Sequence, residues 1–247
     1  MQLFWNAIGE RRFETGIDRG VLYLDNVGMV WNGLVSVTEA PRGGEVTSYY
    51  VDGIRYLDVT SPEEYEATID AYTYPDQFGD CDGTSVVGHG LFATQQNKKP
   101  FGLSYRSKVG NDVDGAEHGY KIHLVYNAMV APTNKAYKTV NDSLDPDNFS
   151  WHVVAKPLLV PGLRPTPHFV IDSLETPTDL LQTIEGILYG TADADARLPS
   201  IGELMTIFTN YEASVFDGGH LTEEFFATFD AGRVGDPYTS TIDGGTP

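Results

Sequence analysis

The stretch FGLSYRSKVGNDVDGAEHGYKIHLVYN, Phe101 to Asn127, decides the fold. Phe101–Tyr105 and Tyr120–Ala128 read as two strands. In the second, Tyr120, Ile122, Leu124 and Tyr126 alternate with Lys121, His123, Val125 and Asn127. A period of two sends these sets to opposite faces of a sheet. Between the strands, near 106–119, lies a long polar loop with Lys108, Asn111, Asp112, Asp114, Glu117 and His118. A loop of this kind suits a small ligand, a metal ion or a docking partner.

The metal reading is weak at the level of spacing. Asp112-Val-Asp114-Gly115 and Asp80-Cys-Asp82-Gly83 echo part of a calcium loop. That loop requires an acid at its first position and a glutamate at its twelfth. Gly110 and Lys121 hold those positions in one match, Phe78 and His89 in the other. Asp and Gly serve turns for backbone reasons. The six histidines, His89, His118, His123, His152, His168 and His220, show no HExxH and no paired ligand spacing. His118 and His123 read as loop or surface residues.

Catalytic signatures are missing as well. There is no GxSxG, GxGxxG or GxxxxGK[ST]. The single cysteine, Cys81, lies among acids that disfavour its thiolate. It has no partner for an internal disulfide, which fits folding in a reducing cytoplasm. The sequence therefore leads us to expect no enzyme, no cofactor, no metal and no catalytic residue.

Around the central hairpin, most segments read as strands. Val21–Val37 holds apolar residues broken by turn signals at Asn26-Val-Gly28 and Asn32-Gly33, which fits two or three short strands. Asp52-Gly53 joins two β-rich runs between Thr47 and Val59 and predicts a hairpin. Glu64–Tyr74 alternates, with Tyr65, Ala67, Ile69 and Ala71 opposite Glu66, Thr68 and Asp70, so one face is wet. Phe149–Val154 and His168–Ile171 add two strands, joined by a proline-rich connector at Pro161–Pro167. Helices come late. Leu180, Leu181, Ile184, Ile187 and Leu188 share a stripe that ends at Gly190, and Ser200-x-x-Glu203 matches a capping box. The expectation is one domain over 1–229 and a C-terminal tail over 230–247, flexible or ordered by a neighbour.

Composition limits the partners. The 247 residues are 41% hydrophobic and carry a net charge of −19, so a direct grip on nucleic-acid phosphates is disfavoured. Residues 1–166 hold 21 acids and 14 bases, residues 167–247 hold 14 acids and 2 bases. No run approaches the ~20 apolar residues of a membrane helix. The start, MQLFWNAIGERRF, lacks the form of a signal peptide, so use without signal-directed export is expected. Trp5, Trp31, Trp151 and 14 tyrosines leave a carbohydrate-binding module as the alternative function.

Five stretches together resemble the major tail tube proteins of long-tailed, siphovirus-type phages of Actinobacteria. They are WNAIGERRFETGIDRGVLYL (Trp5–Leu24), EYEATIDAYTYPDQFGDCDG (Glu64–Gly83), the central hairpin, TVNDSLDPDNFSW (Thr139–Trp151) and LPSIGELMTIF (Leu198–Phe208). The resemblance implies a mainly antiparallel β-sandwich or barrel with one or two flanking helices. It implies homohexameric rings that stack into a hollow tube around a tape-measure protein, with tail-tip and tail-terminator proteins as further partners. DNA would pass through the bore without specific binding, and the protein would be part of the virion tail, assembled in the host cytoplasm. An acidic bore repels phosphate, so Glu64, Glu66 and Asp70 are expected to face it. The Ser107–Gly119 loop, with Lys108, Asn111, Asp112, Asp114 and Glu117, is expected to dock on the adjacent ring and to gain its order there. Arg11, Arg12 and Arg19 are expected to meet acidic surfaces of neighbouring subunits.

Overall fold

The computed structural model describes residues 5, 7–132, 139 and 148–214. Among these, nine strands form one antiparallel sheet. Its strands are β1 (Phe13–Leu24), β2 (Val27–Val30), β3 (Leu34–Glu39), β4 (Arg42–Gly43), β7 (Glu63–Ala71), β10 (Phe101–Asn111), β11 (Gly115–Val130), β12 (Phe149–Ala155) and β13 (His168–Asp172). Two further hairpins stand apart, β5 (Val46–Val51) with β6 (Ile54–Thr60) and β8 (Ser85–Gly88) with β9 (Leu91–Ala93). The helices are α1 (Phe78–Asp82), α2 (Thr178–Tyr189) and α3 (Ile201–Ser214). The mainly antiparallel β class with few helices is as expected. The tail over 230–247 lies outside the described residues, as does most of the turn before Trp151.

The main path runs β2-β1-β10-β11-β12-β7-β3, with β13 also paired to β11. β11 is the branch point. One of its edges pairs with β10; the other pairs with β13 over Lys121–Val125 and with β12 over Ala128–Val130. Between these two partners sits Asn127 at φ 51. Asparagine tolerates this left-handed conformation better than other non-glycine residues, so the strand shifts its alternation there without a break.

The sheet curls so that its two faces feed separate cores. Inside the curl, Leu22, Leu24, Ile69, Leu103, Val125, Trp151 and Val153 pack together. α1 closes one end: buried Phe78 meets Trp31 at 4.7 Å, Trp151 at 5.1 Å and Phe101 at 5.5 Å between ring centroids. On the outer face, Val21, Tyr23, Ile122, Leu124 and Ile171 pack against Leu181, Ile184, Leu188, Ile201 and Leu204 of α2 and α3. The predicted helical stripe supplies this contact. The predicted capping box forms only in half. Ser200 Oγ accepts from the Glu203 amide at 3.2 Å, but the Glu203 carboxylate takes two bonds from Arg197 at 2.6 and 2.7 Å. A bidentate charged pair outweighs a bond to a neutral amide.

The polar stretch read as a loop near 106–119 is mostly strand. β10 and β11 pair from Arg106–Ile122 out to Asn111–Gly115, leaving Asp112–Asp114 as the turn. Polar residues here reflect partial exposure rather than absence of a ladder. Gly110 marks the crowding, since a Cβ would lie 2.5 Å from the Phe13 ring. Arg106 ties this region to α2. It binds Asp18 of β1 through two bonds of 2.7 and 2.9 Å, stacks over Tyr120 at 4.3 Å and lies 3.6 Å from Glu185.

Two outcomes follow. Asn127→Gly should leave urea stability nearly unchanged, whereas Asn127→Val should lose about 1–2 kcal/mol, the cost of a left-handed β-branched residue. Arg106→Leu should cost about 2 kcal/mol by equilibrium unfolding, because it strands a half-buried carboxylate. The Arg106 hydrogen bond holds the Asp18 carboxyl below the usual aspartate range. A lowered folded pKa means the pair's contribution is complete above the unfolded aspartate range and fades as pH falls through the folded value. Acid titration of the variant should lack that component.

Candidate functional site

The hairpin turn is organised by the chain's own residues. Asn111, buried, accepts bonds from the amides of Val113 (3.0 Å) and Asp114 (2.6 Å), and donates to the Gly9 carbonyl (3.3 Å). The Gly9 amide donates to Asp112 at 2.9 Å, and Arg11 lies 3.9 Å from the same carboxylate. Lys108 donates to Glu117 at 2.8 Å across the ladder. His118 Nδ1–H donates to Asp114 at 2.8 Å. The expectation that this tip gains its order only from a neighbouring subunit is therefore corrected. An Asx-type turn satisfies the amides of Val113 and Asp114, and the N-terminal arm engages the Asn111 and Asp112 side chains.

The three acids of β7 do share one face. Tyr65, Ala67, Ile69 and Ala71 are buried, so Glu64, Glu66 and Asp70 stand on the side away from the inner core. Register places Ser36 and Ser150 beside Asp70, and Thr38 and His152 beside Thr68. Asp70 accepts from Ser36 Oγ at 2.7 Å. Glu66 lies 3.3 Å from His152 Nε2 and 3.9 Å from Arg42. The result is a polar β3–β7–β12 face. The three arginines separate. Arg11 meets Asp112, Arg19 lies 3.9 Å from Glu185 and 5.4 Å from the Tyr189 ring, and Arg12 is exposed.

The β5–β6 hairpin is the largest surprise. Its turn matches the sequence expectation, with Asp52 at φ 51 and Gly53 at φ 77, the doubly left-handed geometry that Asp-Gly favours. What periodicity did not reveal is that every residue of β6 and nearly all of β5 is exposed. Tyr50 (65% exposed), Ile54 (73%) and Tyr56 (71%) stand in solvent, with Val46, Val51, Leu57 and Val59 beside them. An isolated two-stranded hairpin is marginal in water, and this one leaves apolar side chains of both strands in solvent. β8–β9 repeats the pattern on a smaller scale with Val86, Val87, Leu91 and Phe92. The exposure of both faces is a tertiary fact: the composition is that of an ordinary buried strand.

Of the three tryptophans, Trp5 is exposed and the other two are not. Trp31 and Trp151 are buried in the inner core, and Trp31 donates to the Thr73 carbonyl at 3.0 Å. Cys81 is buried in α1, where desolvation and Asp80 push its thiol up to about 12.

At the end of the curl opposite α1, side chains with no sequence motif converge. His123 of β11 and His168 of β13 approach to 3.3 Å between Nδ1 and Nε2. Glu39, the last residue of β3, places Oε1 3.6 Å from each. Tyr105 donates to that oxygen at 2.5 Å and stacks on His123 at 4.6 Å, while Ser107 Oγ lies 2.9 Å from His123 Nε2. Burial lowers both histidines, His123 to about 4. His123 is thus a half-buried strand residue and not the loop or surface residue expected. Forty-five positions separate the two histidines, and strand pairing alone brings them together, so local spacing held no signal.

No protein-family model and no curated protein matches the chain. Among solved structures it is similar to a chain of the sheath–tube complex of an extracellular contractile injection system, PVC, in the extended state. The identity is 12%, the TM-score 0.32, and the match covers 62% of this chain and 88% of that one. A chain of the sheath/tube terminator of the same system matches at 10% identity and a TM-score of 0.31, covering 69% and 99%. At TM-scores this low the likeness carries no argument about role.

Asn111→Ala should destabilise the hairpin tip by about 1 kcal/mol, since the amides of Val113 and Asp114 lose their shared acceptor. Amide exchange should accelerate at Val113 and Asp114 and stay slow at Leu124.

Proposed function

We propose that this chain is the structural, non-enzymatic subunit of a phage tail tube. Six copies close into a ring, and rings stack into a hollow tube around a tape-measure protein. Tail-tip and tail-terminator proteins complete the tube, and DNA passes down the bore during ejection. The resemblance of five ordered sequence stretches motivates this reading. The observation that carries it is the β5–β6 hairpin, whose apolar residues have no core of their own. Such a hairpin is stable when other copies cover it, and continuation of sheet edges between copies removes the edges a lone protomer exposes.

The remaining surfaces fit the same assembly. The polar β3–β7–β12 face, with Glu64, Glu66 and Asp70, suits the bore, where like charge keeps DNA phosphates from adhering. The β10–β11 tip, already ordered by the N-terminal arm, offers a preformed contact to the next ring through Asp112, Val113 and Asp114. Arg12 is placed for an acidic surface of a neighbour. No helix among the described residues is long and apolar enough to cross a membrane.

Electron microscopy of the purified chain tests the reading. Rings or tubes of fixed diameter are expected from the natural sequence. Ile54→Asp with Tyr56→Ser should leave the circular dichroism of a folded monomer and abolish tubes. Deleting Asn111–Ala116 should also block stacking. Tubes of normal length from the double variant, a chain that stays monomeric under every condition, or a net basic bore in a reconstruction would each count against it.

A further inference from the structure

We infer that Glu39, His123 and His168 form a binding site for a divalent first-row transition metal, with Zn²⁺ the best match. The inference stands apart from the tube reading, because it rests on side-chain geometry within one copy. His123 Nδ1, His168 Nε2 and Glu39 Oε1 lie 3.3, 3.6 and 3.6 Å from one another. Ligands held about 2.0–2.1 Å from a tetrahedral zinc lie about 3.4 Å apart. The two 3.6 Å separations are too long for hydrogen bonds. The carboxylate therefore faces both imidazoles without bonding to either, across a gap that an ion of this size bridges.

The surroundings favour metal over mere packing. A metal would bind the deprotonated ring nitrogens His123 Nδ1 and His168 Nε2, which lie within hydrogen-bond distance of each other. Ser107 Oγ engages His123 Nε2, which leaves Nδ1 toward the cluster. Tyr105 holds the Glu39 carboxylate, and its ring and that of Tyr65 flank His123 and His168 at 4.6 and 5.0 Å. Outer partners that fix ring orientation and carboxylate position are the usual support of a metal site. Two nitrogens and one oxygen exclude calcium and magnesium, which select oxygen sets. Three protein ligands leave a position for water or for a donor from another molecule. Access is through an adjoining cleft of ≈ 800 Å³ bordered by Glu39, Tyr65, Arg164 and His168. An ion here would clip the end of β3 to β11 and β13, strands that do not pair with it.

The test uses Co²⁺ as a spectroscopic probe on the full chain, followed by Zn²⁺ competition and thermal melts with Zn²⁺ or EDTA. We expect a visible ligand-field band that saturates at a single ion per chain and is erased by Zn²⁺, and a melting temperature raised by Zn²⁺ and restored by EDTA. His123→Gln with His168→Gln should abolish the band while retaining the β-sheet dichroism. Glu39→Gln, which preserves shape, should weaken Co²⁺ binding by at least about 10-fold, and Ser107→Ala by about 10-fold through orientation alone. No band with the natural chain, or a band that survives in the double histidine variant, would overturn the site. Should the double variant not fold, Glu39→Gln decides: unchanged Co²⁺ affinity rejects the assignment. Either result leaves the assembly reading to its own microscopy.

Discussion

Everything in this fold depends on one strand being paired along both edges with three partners. β11 runs from Gly115 to Val130 and satisfies its backbone against β10 on one side and β13 then β12 on the other. Buried backbone groups must find partners, so the change from β13 to β12 has to occur without unpaired groups. The left-handed Asn127 achieves this. The Tyr126 amide donates to the Pro167 carbonyl at 2.8 Å, and the Asn127 carbonyl accepts from Lys156 at 3.2 Å. Because β11 presents side chains to both faces, this pairing also sets the two cores. Val125 and Ala128 point into the curl, while Ile122, Leu124 and Tyr126 meet the helices.

That arrangement spends the apolar residues of the large sheet on its own cores and leaves two hairpins outside them. β5–β6 and β8–β9 are rich in tyrosine, valine, leucine and isoleucine yet bury little within the copy. β3 and β7 of the polar face and the β5–β6 hairpin belong to one stretch of chain, from Leu34 to Ala71, while β12 joins that face from Phe149–Ala155. At a net charge of −19, copies of the chain repel one another at long range.

Much of the secondary structure was legible because it rests on local rules. Alternation in Glu64–Ala71 marked buried Tyr65, Ala67, Ile69 and Ala71 correctly, and Asp52-Gly53 specified its turn through backbone preference. The stripe from Leu180 to Leu188 and the stop at Gly190 located α2. The error at 106–119 has a physical source. Polar residues and glycines read as loop, but the ladder there is held by backbone bonds, with Arg106–Asp18 and Lys108–Glu117 replacing apolar cross-strand contacts.

Sequence by itself determined the period of strands such as Glu64–Ala71, the Asp52-Gly53 turn, the helix stop at Gly190 and the acidity of the chain, since these depend on composition or on neighbours within a few positions. Only the tertiary structure decided which strands share an edge. That choice buried Trp31 and Trp151, left Ile54 and Tyr56 in water, and set Glu39 against His123 and His168. The physical reason is that backbone hydrogen bonding is blind to residue identity. Partner choice follows from packing across the whole chain, so convergence of residues from β3, β11 and β13 leaves no mark in local spacing.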